Sequence, residues 1–129
     1  MVVNVVSPFV RNTDLSLVAL TGLRAGYIQL ATTTEVTTYA ELPPAMWAAA
    51  QAWCVYLEAL GAQRIYWLTL SEQVRHLHIH LYPRWPVDSL LGLALFEQRH
   101  HPDQPEWTEP VRHALADWAL RYQVLVDTP

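Results

Sequence analysis

Hydrophobic positions recur along this chain with two periods. Apolar residues alternate with others at period two over several short runs, the pattern of strands, and at helical spacing over three longer ones. Residues 2–6 are β-branched and read as a short strand. Residues 15–20 read as a strand, 21–26 as a turn with Gly22 and Gly26, and 27–31 as the returning arm of a hairpin. The threonine-rich run 32–38 extends that arm or forms an extended loop. Pro43 and Pro44 open a helix over 45–60, and Gly61 closes it. Residues 64–70 are a strand by composition, and 71–73 are a short polar connection. Antiparallel pairing with the run that follows is the simplest outcome of so short a loop. Asp88 is a candidate N-cap for a short apolar helix over 89–98, and Thr108 for a second over 109–122. Residues 100–105 form a loop between them, and 124–126 a last short strand.

Strands and helices do not strictly alternate. The expected class is therefore α+β, an antiparallel sheet with a central helix packed on it and extra C-terminal helices. The 129 residues suit one domain, with a core over about 15–84 and a C-terminal helical extension over about 85–129. In the central helix Met46, Ala49, Trp53, Leu57 and Leu60 share one stripe, and the interior polar residues are only Gln51 and Glu58. So narrow a polar strip must be covered on more than one side. The sheet covers one. The other falls to a second subunit, hence an expected homodimer through this helix and the strand after it, or to the chain's own C-terminal helix.

Composition narrows the function. Twelve acidic against eight basic residues give a net charge of −4, without a basic run. Binding to nucleic acid through phosphate neutralisation is disfavoured. The single Cys54 excludes an intrachain disulfide framework and a multi-cysteine zinc site, and suits a small core residue. The first ten residues have no basic n-region, and no run of about 18 apolar residues exists. Neither a leader nor a membrane span is expected, and the default location is cytoplasmic.

The chemistry concentrates in His76-Leu77-His78-Ile79-His80-Leu81-Tyr82-Pro83-Arg84. In a strand the three histidines share one face and the aliphatic residues the other. The aliphatic face belongs on a core, so the imidazoles line something wet. A neutral imidazole is a good nucleophile, and attack on phosphorus gives a phospho-histidine that water can cleave. His-x-His pairs on strands are also zinc ligands, and His100, His101 or Glu72 are available to complete such a set. Otherwise His100 and His101 read as a solvated loop and His113 as exposed. Arg84 either holds phosphate or caps the strand end. Trp85 either stacks on a base or packs in the core.

This stretch closely resembles the signature of the histidine-triad (HIT) family, in which His-x-His-x-His alternates with hydrophobic residues and, in a hydrolase branch, is followed by Pro-Arg. The resemblance covers about residues 15–84. It implies a nucleotidyl hydrolase acting on a nucleoside α-phosphate. His78 would be the nucleophile, His80 would donate to the phosphate oxygens, and His76 would shape the site, its backbone fixing the His78 tautomer. Gln73, Ser71 and Arg84 would contact phosphate. No cofactor is required, although a divalent cation can accompany a polyphosphate substrate. The upstream positions depart from the family pattern. A Gly-His pair becomes Gly26-Tyr27, a later histidine becomes Glu35, and the ribose-binding Asp or Asn falls near Ala19. Two alternatives follow: a nucleotide-binding or interaction protein of this fold with weak turnover, and a histidine-rich metal-binding protein.

Overall fold

The computed structural model describes residues 16–127, so the expected strand over 2–6 lies outside the described residues. Nine elements matter here. Strands β1 (Leu17–Thr21) and β2 (Ile28–Thr32) form the hairpin. A short 3-10 turn (Tyr39–Glu41) leads to α1 (Pro44–Ala59), then β3 (Arg64–Leu68) and β4 (His78–Arg84). The chain continues through α2 (Gly92–Glu97), α3 (Glu109–Tyr122) and β5 (Val124–Asp127).

The sheet has five strands in the order β3-β4-β2-β1-β5. The pairs β1/β2, β2/β4 and β3/β4 are antiparallel, and β1/β5 is parallel. The sheet is thus mixed, correcting the expected all-antiparallel one. Strands β1 and β4 are both antiparallel to β2 and so run the same way, and the helical return from β4 through α3 starts β5 in that direction too. With α3 feeding β5 directly, β5 joins β1 in parallel.

Alternation divides the sheet into two faces. Ile28, Leu30, Ile79 and Leu81 are buried on one face, under α1 and α3. Trp53 of α1 meets Trp118 of α3 at 5.2 Å between rings, and Trp118 Nε1 donates to Ala49 O at 2.7 Å. The chain's own C-terminal helix therefore covers one flank of α1. Of the expected stripe, Met46, Ala49, Trp53 and Leu57 are buried, while Leu60 is exposed. Leu60 is the C-cap, and Gly61 at φ 106 ends the helix with paired bonds, Gly61 N to Glu58 O and Ala62 N to Leu57 O. Tyr122 also lies at a helix end and is more than a third exposed.

On the opposite face α2 lays Leu95 and Phe96 against Tyr27 and Tyr82, a second and smaller core. The helix is shorter than expected and Asp88 does not cap it. Its first amide, Gly92 N, donates to Tyr66 Oη at 2.8 Å. Asp88 instead meets Arg24, from the hairpin turn, in a bidentate ion pair with side chains 3% and 7% exposed. Burial alone would push the Asp88 carboxyl up. Hydrogen bonds from Arg24 and from Trp85 N outweigh it and hold the carboxyl below the usual range. Arg24 also donates to Pro83 O and Gln104 Oε1 and lies over the Tyr82 ring. It fastens the hairpin turn to both β4 and the C-terminal segment.

Candidate active site

Strand β4 begins at His78, two residues later than the alternation suggested, and the connection from β3 spans 69–77 rather than 71–73. Ser71 in that connection has φ 51, a left-handed value that disfavours a non-glycine residue. His76 therefore precedes the strand. Its Nε2 lies 3.2 Å from Thr32 Oγ1, whose residue belongs to the core-facing row of β2. Only His78 and His80 stand in one row on the α2 face, with ring centroids 5.0 Å apart.

Hydrogen bonding assigns each imidazole a tautomer. His78 Nδ1 is 3.0 Å from the carbonyl oxygen of His76. A carbonyl only accepts, so Nδ1 carries the proton and the Nε2 lone pair is free. His80 Nδ1 is 2.7 Å from Tyr27 Oη. Tyr27 is 3% exposed, and burial pushes its phenol up to about 12, so it stays protonated. A buried O–H needs an acceptor, and His80 Nδ1 supplies one, while the Gln29 side chain also hydrogen-bonds the phenol and acts to lower its pKa, as a donor to it does. The phenol donates, and the His80 proton sits on Nε2. Thr32 gives its one hydroxyl proton to Thr34 O at 2.6 Å and so accepts from His76 Nε2–H.

His80 is held neutral. Burial, the neighbouring His78 and the positive Arg99 all lower it, to about 4. The α2 face thus presents, side by side, an imidazole lone pair at His78 and a neutral imidazole N–H at His80. A lone pair can attack an electrophilic centre, and an N–H beside it can steady the charge that develops there.

The remaining expected residues divide. Ser71 Oγ is 3.4 Å from the His78 amide, so Ser71 joins the histidines. Gln73 is exposed in the connecting loop. Arg84 lies at the far end of β4, about 13 Å of strand beyond His80. Its Nη1 donates to Gln63 Oε1 at 2.8 Å, a strand-end contact. Trp85 is core, donating through Nε1 to Ala25 O at 2.8 Å. Ala19 faces the α1 core, opposite the histidines, and Glu35 is exposed. Cys54 is half-buried and accepts from Trp67 Nε1 at 3.2 Å. His100 and His113 are exposed; His113 pairs with Glu109.

Two site contacts have roles that the chain alone does not reveal, although Tyr27 already stands out as the residue at the family's Gly-His position. Tyr27 and Thr32 act through β2 pairing with β4, which hydrophobic periodicity does not reveal. The signal nearest to one was Gly22: a Cβ there would sit 2.1 Å from the Tyr27 ring. Glycine in this turn therefore makes room for the ring that holds His80.

These features define an α+β protein with a five-stranded mixed sheet and a paired-histidine site on its second face. Neither a family model nor a curated protein matches the chain.

Proposed function

We propose that this protein is a cytoplasmic, HIT-type nucleotidyl hydrolase, working as a homodimer, and that it cleaves a phosphoanhydride or phosphoramidate bond at a nucleoside α-phosphate. The observation that carries this reading is the pair of opposite tautomers on one strand face. His78 offers Nε2 as a lone pair because its Nδ1–H is engaged by the His76 carbonyl. His80 offers Nε2–H because Tyr27 engages its Nδ1.

In the first step His78 Nε2 attacks the α-phosphorus, a P–N bond forms, and the bond to the leaving group breaks, its electron pair departing with the phosphate anion or with an amine that takes up a proton from solvent. His80 donates to a nonbridging oxygen, favouring the charge that builds there. In the second step water cleaves the P–N bond, releasing the nucleoside monophosphate and regenerating the imidazole. Ser71 supports His78 from its amide side, and Gln73 is available to phosphate from the loop. A divalent ion can accompany a polyphosphate substrate.

Substituting His78→Ala tests the assignment. Loss of a covalent nucleophile lowers turnover by about a thousandfold or more. An unchanged rate in a folded variant contradicts it.

A second reading keeps nucleotide binding without turnover. It is favoured by Ala19, which faces the core and leaves the expected ribose contact unfilled. It predicts binding with no covalent intermediate. The metal-binding reading is weaker: among the described residues, no three His, Cys, Asp or Glu side chains converge as a ligand set.

A further inference from the structure

Beside the histidine pair lies a cleft of about 740 Å³, within the range of small-molecule sites. The hairpin supplies Tyr27 and Gln29. The segment after β4 supplies Arg99, His100, Trp107 and Arg112. No lining residue is acidic, in a chain where acids outnumber bases. Among the described residues neither Arg99 nor Arg112 is ion-paired; arginine pairs there involve Arg24 and Arg121. Arg99 lies over the Phe96 ring at 4.2 Å and donates to Phe96 O at 3.1 Å. Those contacts hold the guanidinium in place without neutralising it. Arg112 is exposed in the first turn of α3.

The cleft adjoins the histidine site through two residues that neighbour His80. Tyr27 lines it and hydrogen-bonds His80 through Oη. Gln29 is the cross-strand partner of His80, so the cleft begins one strand away, about 4.8 Å across the sheet. A ligand with its reactive phosphorus at His78 extends naturally into it.

We propose that this cleft binds a second phosphate group of the substrate, remote from the phosphorus that reacts at His78, through Arg99 and Arg112. The inference rests on the nucleotidyl hydrolase reading and narrows its substrate class to molecules with two separated phosphates. Guanidinium groups bind phosphate through directed, charge-assisted hydrogen bonds. The second phosphate is either carried on the ribose or is the end of a polyphosphate chain.

Calorimetric titration separates these. The ligands are AMP, AMP with an additional ribose phosphate, and a non-hydrolysable ATP analogue, together with their guanosine counterparts. Wild type is expected to bind one two-phosphate class roughly tenfold to a hundredfold tighter than the monophosphate. The class that gains identifies where the second phosphate sits. Arg99→Gln combined with Arg112→Gln should abolish that gain, and Arg112→Gln alone, which leaves the charge of Arg99 beside His80 in place, should keep monophosphate affinity within about twofold. Arg112→Gln alone, at an exposed position, should remove part of the gain with the fold intact. Equal affinity of wild type for all ligands overturns the proposal, as does a preference that survives the double substitution. Monophosphate binding without preference rejects the subsite only. Absence of any nucleotide binding rejects the nucleotide reading with it.

Discussion

Tyr27 holds the proton on which the proposed division of labour between His78 and His80 depends. Without its hydroxyl, His80 can place its proton on either nitrogen, and the outward N–H is no longer fixed. Tyr27→Phe keeps the ring that packs beside Gly22 and Phe96. It should lower kcat about tenfold and leave KM nearly unchanged, since the lost contribution acts on transition-state charge. An unchanged kcat across the pH profile contradicts the role. The sign of the pH effect on stability follows from the same residue. His80 titrates at about 4 in the folded protein and near 6.5 when unfolded. Above pH 6.5 its neutrality carries no penalty. As pH falls from about 6.5 to about 4, only the unfolded chain takes up the proton, and stability declines through that window.

Among elements, the turn between β1 and β2 and the segment after β4 depend on each other through Arg24 and Asp88. Asp88→Ala leaves a buried guanidinium unpaired, and urea unfolding should show a loss of about 3–5 kcal/mol. Replacing both residues by apolar ones should recover much of it. A single substitution within about 0.5 kcal/mol of wild type rejects the pair as a fastening between the two segments. Asp88 also marks where local reading of the chain fails. An Asp before an apolar run looks like an N-cap, but a buried arginine far away in sequence competes for the carboxylate and wins. Helix α1 was legible because its ends are set by Pro44 and Gly61 and its stripe by Met46, Ala49, Trp53 and Leu57. The hairpin, β3 and α3 were legible for the same local reasons. The parallel partnership of β5 with β1 was not, because strand order depends on where α3 docks. In the site, the proximity of His78 and His80 followed from alternation. Its failure at His76 reflects a strand that begins two residues later.

At the scale of the whole molecule, α3 and the sheet leave one flank of α1 uncovered. Trp47 and Trp67 are 41% and 43% exposed and stack with planes 6° apart at 6.4 Å. Leu70 just after β3 is exposed as well, and β3 is an edge strand. An apolar patch along an open strand edge is a natural pairing surface. Trp53, by contrast, is wholly buried against Trp118 and belongs to the core rather than to any interface. Sedimentation should therefore give a wild-type mass of twice the chain, and a folded monomer for Trp67→Glu. A wild-type monomer, or an unchanged dimer in the variant, rejects this surface. Among the described residues no helix is long and apolar enough to cross a membrane.

The central claim is that His78 forms a covalent bond to phosphorus. Intact-protein mass spectrometry tests it most directly, after brief incubation of wild type and His78→Ala with adenylated and guanylated substrates. The account predicts a nucleotidyl-sized mass increase on wild type alone, which also identifies the nucleoside. Product release with no adduct on wild type, or the same adduct on His78→Ala, would contradict it.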